Sequence, residues 1–439
     1  MGTVNYPVNG DGQATVAFPL VALSLDPVSG QEAQVRRVQT LRLEAPTYAL
    51  LRGQAQYLGV SDRFTRIIEA CHTPPDHTPP GFRVELELLS GGLLQADLVR
   101  DISYDADSRK RPTSLIFSAD SANPYEVEPI APLLGNLTCN PGIVYDLFIN
   151  NPEANVGHKF TTRDEVITEL GRILGPGVDV SVELNNPFED DFSKILEECE
   201  TFKEILGEHR LVVKVPHTGP VNATNVHQLL RGDKRLDIRH DRPATADALR
   251  GHNLALRLRE HGYRINFTLM FEPHQTALAL QAKPAFINSF IRHRDKQSTA
   301  IKAFLEAGDR EGLRTFLLAN DYLASNETDL DLSECEGIAR EVLEYRHVDD
   351  PYGADGLDGV RHSLRWLRQS NLPDTRLIIC SMEGSRNFPD IDNLLADPEY
   401  ADMIDRVVLT AEPAYLARFT SSNQIVSYQR RFMNAAASA

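Results

Sequence analysis

The sequence predicts an α/β protein, a (β/α)8 barrel preceded by a small α+β unit, and three observations carry that reading. From about residue 111 onward, eight short apolar runs alternate with stretches whose apolar residues fall at helical spacing, the texture of repeated βα units. Residues 1–110 instead show short strand-like runs broken by turn residues. The chain has 439 residues, 42% of them hydrophobic, enough for one large barrel and an added unit. The expected division is an accessory unit over 1–110 and a barrel over 111–439, with insertions near 219–245 and 296–352. A doubly wound open sheet is the competing architecture.

In the first unit, Ala14 to Leu25 and Gln34 to Glu44 are expected as strands and Tyr48 to Ala70 as one helix. The proline-rich segment Thr73 to Pro80 cannot continue that helix and is expected as a stiff surface loop, on which His72 and His77 are solvated residues more readily than metal ligands. From Gly81 to Tyr104, Phe82, Val84, Leu86 and Leu88 alternate with polar residues before Ser90-Gly91-Gly92, predicting a one-sided hairpin.

The eight barrel runs are Leu115 to Phe117, Gly135 to Thr138, Val178 to Leu184, Leu211 to Val215, Ile265 to Met270, Ala285 to Phe290, Arg376 to Cys380, and Val407 to Leu409. Helices are expected between them at Phe192 to Leu206, Ala246 to His261 and Val360 to Arg368. Two connections exceed what a barrel needs. One, near 219–245, is rich in charge and contains Arg231-Gly232-Asp233; the other, near 296–352, predicts two or three extra helices, and such insertions belong over an active-site mouth as lids or interface elements. The tail Ala435 to Ala439 is expected to fray.

Composition excludes several classes of function. The net charge of −17 and the lack of any basic block give nucleic acid or an anionic membrane no electrostatic support. Five cysteines without paired spacing argue against a disulfide framework or a zinc site and for a reducing compartment, the cytoplasm by default. No basic segment followed by an apolar one opens the chain, and no apolar run approaches the roughly 18 residues that span a bilayer.

The chemistry concentrates at Leu211-Val212-Val213-Lys214-Val215-Pro216-His217-Thr218, which sets one lysine inside an apolar, β-branched run. Desolvation favours the neutral amine, which would lower the lysine pKa and make the nitrogen a nucleophile able to form a Schiff base with a carbonyl. The competing reading is a strand-end lysine that snorkels to water. Around it, polar residues stand at the ends of other predicted strands: Asp120 and Asn123, Asn140, Ser181 and Glu183, and Asn266 and Thr268. Singly, each has a plain structural explanation as a helix cap, turn residue or strand-end charge. Together around one buried lysine they form a site where a Schiff base could be made, protonated and resolved.

The order Asp120-Ser121-Ala122-Asn123, Thr138-Cys139-Asn140-Pro141, Ser181-Val182-Glu183, Val212 to Thr218, Asn266 to Phe271 and Phe286 to Phe290 resembles the transaldolases and the small fructose-phosphate aldolases, over roughly residues 114 to 420. The resemblance implies a barrel of the class I aldolase type with Lys214 as the Schiff-base lysine and no metal or other cofactor. It implies that Asp120 handles the hydroxyl proton in carbon–carbon cleavage and that Glu183 works with Thr268 through a water in forming and hydrolysing the imine. Asn140 and Asn266 would bind donor hydroxyls, with Ser181 lining the same pocket. Glu183, where the small aldolases tend to have glutamine, and Phe290, where they tend to have tyrosine, point to the transaldolase branch.

The phosphate end departs from the family pattern. The family's Ser-Pro-Phe-Val-Gly-Arg is Asn288-Ser289-Phe290-Ile291-Arg292-His293 here, so its arginine falls on His293 unless a one-residue shift brings in Arg294. The family's Ser-Phe-Arg becomes Ser381-Met382-Glu383, a carboxylate in place of a guanidinium, with Arg386 three residues on. Asn288, Phe290, Arg294, Ser381 and Glu383 join the substrate-binding candidates. The implied function is transfer of a ketol unit between a ketose-like donor and an aldehyde acceptor, on a specialised, unphosphorylated or unusually decorated sugar in a biosynthetic pathway. A plain aldolase without transfer, or a barrel kept as a binding or scaffold subunit, are the alternatives; small sugar, aldehyde or ketone substrates are the expected partners, and a homo-oligomer stays open.

Overall fold

The protein is described from a computed structural model that covers residues 16–79, 81–100, 115–346, 356–380, 387–411 and 421–437. Its centre is a closed barrel of eight parallel strands: β7 (Ile116–Asp120), β8 (Leu134–Cys139), β9 (Asp179–Glu183), β10 (Arg210–Pro216), β11 (Arg264–Met270), β12 (Phe286–Phe290), β13 (Arg376–Cys380) and β14 (Val407–Ala411), with β14 pairing back to β7. Each falls on one of the eight apolar runs, and closure excludes the open sheet. The fold is a (β/α)8 barrel.

Strand alternation sorts the side chains into two sets. Val180, Val182, Val213, Val215, Ile265, Phe267 and Leu377 point outward into the large core shared with the helices. Ile116, Val212, Phe286, Ile378, Cys380 and Val408 point inward and pack on one another in the lumen. The same parity turns Asp120, Glu183, Lys214, Asn266, Thr268 and Phe290 inward near the C-terminal ends of their strands.

The helices start and stop where local chemistry allows. Helix Arg163–Leu174 opens with a capping box, Thr162 accepting from the Glu165 amide while Glu165 returns to the Thr162 amide. Asp191 caps helix Phe192–Ile205. Helix Arg250–Glu260 presses against the end of β10 at Gly251, where a Cβ would lie 2.2 Å from the Pro216 carbonyl oxygen, so only glycine fits.

Among the described residues, six earlier strands precede the barrel. β1 (Ala17–Pro19) pairs with β3 (Arg42–Glu44), and β2 (Asp26–Pro27), β4 (Tyr57–Val60), β6 (Leu93–Arg100) and β5 (Phe82–Leu88) form a second sheet in that order. The predicted hairpin is present as β5 and β6, paired antiparallel. Three expectations need correction. The segment 48–70 is not one helix: Ala45–Arg52 and Asp62–Ala70 flank β4, because the Tyr57 to Val60 run pairs parallel to β6 and its Gly59 sits too close to Val28 and Gln31 for any side chain. The 34–44 run is the end of helix Glu32–Arg36, a turn and only the short strand Arg42–Glu44, and within 14–25 the described strand is confined to Ala17–Pro19 before a 3-10 turn. Ala435 to Ala437 also belong to helix Asn423–Ala437.

The second sheet seats on the base of the barrel. Gly177, just before β9, has φ +81 and lies where a Cβ would come 2.8 Å from Phe82 and 3.0 Å from Ile67, so the close approach and the backbone both demand glycine. The Arg100 amide donates to the Gly177 carbonyl (2.9 Å), Arg63 donates to the His209 carbonyl (3.0 Å), and Arg66 pairs with Glu208 (2.8 Å).

Three helices after β12, His293–Ala307, Arg310–Ala319 and Leu332–Tyr345, pack round Ile301, Leu313, Leu317 and Tyr322 as a small body of their own. Helix Asp358–Gln369 then returns to the barrel wall. The other insertion grips this body: Arg239 pairs with Glu327 (2.7 Å), Arg235 donates to the Leu318 carbonyl (3.0 Å), and the Ser325 amide donates to the Leu236 carbonyl (2.8 Å). Both insertions leave from the C-terminal ends of their strands. No described helix is long and apolar enough to cross a membrane.

Candidate active site

Lys214 lies on β10 with Glu183 beside it in register on β9 and Asn266 beside it on β11. The lysine is buried and its Nζ stands 3.4 Å from Glu183 Oε2, so it does not snorkel to water. Asp120, across the lumen on β7, is close enough to act on the ammonium electrostatically.

The lysine's charge state differs from the expectation. Burial does favour the neutral amine, but the Glu183 and Asp120 carboxylates outweigh it and hold the Lys214 ammonium above its ordinary range. Burial pushes Glu183 upward as well, and the lysine only partly offsets this. Lys214 is thus one half of a buried acid–base pair with Glu183, not a lone desolvated amine.

The polar wall around the pair carries unspent hydrogen-bonding capacity. Asn266 Nδ2 donates to Ser181 Oγ (3.1 Å), while Asn266 Oδ1, Asn288 Oδ1, Thr138 Oγ1 and Thr410 Oγ1 are buried without a partner among the described residues. Buried polar atoms are rarely left so unless something else binds them, and a cluster facing one lumen suits a hydroxyl-rich ligand. Asn140 has a structural duty too, its Oδ1 accepting from the Ile143 amide (2.9 Å) at the start of the following helix. Thr268 is buried at the end of β11, and its carbonyl receives the His217 amide (3.2 Å).

Lys214, Glu183, Asp120, Thr268, Asn266, Ser181, Asn288 and Phe290 therefore face the lumen together, and Asn140 stands just beyond the end of β8. Arg294 does not join them. It is buried in helix His293–Ala307, with Nε 2.7 Å from Glu272 and its guanidinium also paired with Asp358. Arg292 takes the family's glycine position with φ +63, in keeping with the backbone that position needs. Ser381, Glu383 and Arg386 lie outside the described residues.

Sequence reasoning missed Thr138, Cys380 and Thr410, which line the same lumen. Their signal was the alternation itself, since each stands two or four residues after another inward position on its strand. Cys139, by contrast, faces the outer core, and burial pushes its thiol up to about 12.

Also missed was a second polar cluster at the opposite end. Asp179, Arg210, Arg264 and Arg376 begin four barrel strands, and Asp179 Oδ1 lies 3.1 Å from Arg210 and in contact with Arg264. Arg210 also pairs with Glu85 of β5 (2.7 Å). Burial alone would raise the Asp179 pKa, but Arg264 and Arg210 drive it down to about 2.

Residues 117–355, more than half of the chain, match the Transaldolase/Fructose-6-phosphate aldolase family. The chain belongs to that family. The matched stretch runs from β7 through the three-helix insertion and ends before β13, so it holds Lys214, Glu183, Asp120 and Thr268 but not the segment carrying Glu383. A relative named "Probable transaldolase", from Alkaliphilus metalliredigens (strain QYMF), is 26% identical over 136 residues, which cover 29% of this chain and 62% of that protein.

Proposed function

We propose that this member of the transaldolase family is a Schiff-base enzyme that makes, breaks or transfers a carbon–carbon bond of a ketose-like donor through Lys214. The observation that carries the reading is the buried Lys214–Glu183 pair at 3.4 Å inside a closed barrel, with Asp120 acting on the same ammonium. Nothing structural requires three such charges in one lumen.

In the proposed cycle, Glu183 takes a proton from Lys214 and the neutral amine adds to the donor's carbonyl carbon. The resulting carbinolamine loses water, assisted by Glu183 and Thr268, to give the iminium. Asp120 then removes the proton of the hydroxyl on the far carbon of the bond that breaks, the carbon that becomes the aldehyde. That bond's electron pair moves onto the iminium to leave an enamine, and an aldehyde departs. The enamine adds to an acceptor aldehyde, whose oxygen takes the proton back from Asp120. Water then hydrolyses the new iminium and returns the amine. Asn140, Asn266 and Ser181 hold the hydroxyls of the donor.

The commitment of Arg294 to Glu272 and Asp358 supports an unphosphorylated substrate, because a dianion would lose its bidentate partner there. The test is reduction with borohydride in the presence of dihydroxyacetone. A three-carbon adduct on Lys214, absent from Lys214→Arg, is expected; an adduct that persists in the variant or maps to another residue overturns the assignment.

A further inference from the structure

The lumen beside the C-terminal end of β12 is bordered by rings. Phe290 closes the inward row of β12, packed on the lumen cluster. Phe271 stacks on it with centroids 4.8 Å apart and planes 26° apart, and His293 lies 4.8 Å from Phe271 on the exposed side.

The backbone is shaped to put Phe271 there. Between Phe267 and Met270 the register of β11 on β12 shifts, and Leu269 adopts φ +59, a conformation that costs a non-glycine residue about 1–2 kcal/mol. The Gln275 side chain clamps the bulge, accepting from the Phe271 amide (2.7 Å) and donating to the Leu269 carbonyl (3.1 Å). Charge beside the rings is already matched internally. Arg294 and Arg346 both pair with Glu272, at 2.7 and 3.0 Å, and Arg294 also with Asp358.

We infer that Phe290, Phe271 and His293 form the acceptor subsite, and that it selects an aldehyde whose distal group is an uncharged planar ring. This rests on the Schiff-base reading of Lys214. Rings offered to an aromatic group gain edge and face contacts that an aliphatic chain cannot make, and a neutralised arginine pair gives a phosphate nothing in return.

The experiment compares phenylacetaldehyde, glycolaldehyde and glyceraldehyde 3-phosphate as acceptors with dihydroxyacetone as donor, in the full chain and in Phe271→Leu and Phe271→Ala. Phenylacetaldehyde is expected to have the highest kcat/KM, and its advantage over glycolaldehyde should fall about 3- to 10-fold in each variant. Phe271→Leu keeps the apolar volume, so its result stands if the alanine variant misfolds. A preference for the phosphorylated acceptor, or an equal loss toward both unphosphorylated acceptors, overturns the proposal. Borohydride trapping on the unmodified protein separates the two readings. If no Lys214 adduct forms, the mechanism fails by itself and the subsite is judged by binding of 2-phenylethanol, read by NMR: binding that weakens in Phe271→Leu supports it, and unchanged binding overturns it.

Discussion

The two ends of the barrel lumen solve the same problem, buried charge, in opposite ways. At the base one carboxylate, Asp179, sits among Arg210 and Arg264 with Glu85 behind them, and its pKa is driven down to about 2. At the mouth one ammonium, Lys214, faces two carboxylates, and the nearer one, Glu183, is pushed up. Base charges are locked and cannot exchange protons near neutral pH. Mouth charges face one another across one 3.4 Å contact. A lumen of uniform construction thus carries a structural end and a reactive end, distinguished by the ratio of opposite charges.

The largest contrast comes from deleting the centre of each cluster. Lys214→Met should abolish turnover and borohydride adduct formation yet leave the denaturant midpoint little changed or raised, because Glu183 can take a proton and become neutral. Asp179→Asn should do the reverse. It leaves Arg210 and Arg264 without their shared carboxylate, at a cost of about 3–5 kcal/mol in urea unfolding, while any folded fraction keeps its kcat. Equal stability losses in the two variants would erase the distinction.

Next comes the mouth carboxylate. Glu183→Gln should lower turnover by about 10²-fold, chiefly by slowing imine formation and hydrolysis, which rapid-quench trapping of the adduct would follow. A smaller change is expected at the interface of sheet and barrel. Gly177→Ala should cost about 1–3 kcal/mol, since φ +81 and the 2.8 Å approach to Phe82 both resist a Cβ, with kcat retained.

The pH dependence of stability should be mild but opposite in sign at the two ends. The folded pKa of Asp179 lies below its unfolded value, so its stabilisation is fully present above about pH 4 and is lost as pH falls from there through about 2. Glu183 is shifted upward, so its ionisation weakens the fold as pH rises above its unfolded value near 4.5. Acid titrations of unfolding free energy in Asp179→Asn and Glu183→Gln would separate the slopes.

Legibility followed the same division. The barrel strands could be read because each is an apolar run of strand length. The mouth could be read because Lys214 interrupts such a run and the strand-end polar residues follow a family order. The base could not: an arginine at the start of a strand, such as Arg264, looks like a surface charge until closure brings it onto Asp179. The ion pairs of Arg294 were hidden for a related reason, because its partners Glu272 and Asp358 lie 22 and 64 residues away along the chain and only the fold joins them. The helix expected over 48–70 failed because a four-residue strand, Tyr57–Val60, is too short to announce itself against strong flanking helix patterns.

The salt bridge between Glu85 and Arg210 and the hydrogen bond from Arg63 to His209 span 125 and 146 residues of chain. During synthesis at roughly 5–20 residues per second, the face of the sheet that holds Glu85 leaves the ribosome some 6–25 s before its partner strand exists. The N-terminal sheet is therefore made well before the strand that completes its contacts with the barrel. Phe82 and Ile67, which meet Gly177, and Glu85, which meets Arg210, lack their barrel partners in that interval, and there a nascent chain would need protection by a chaperone.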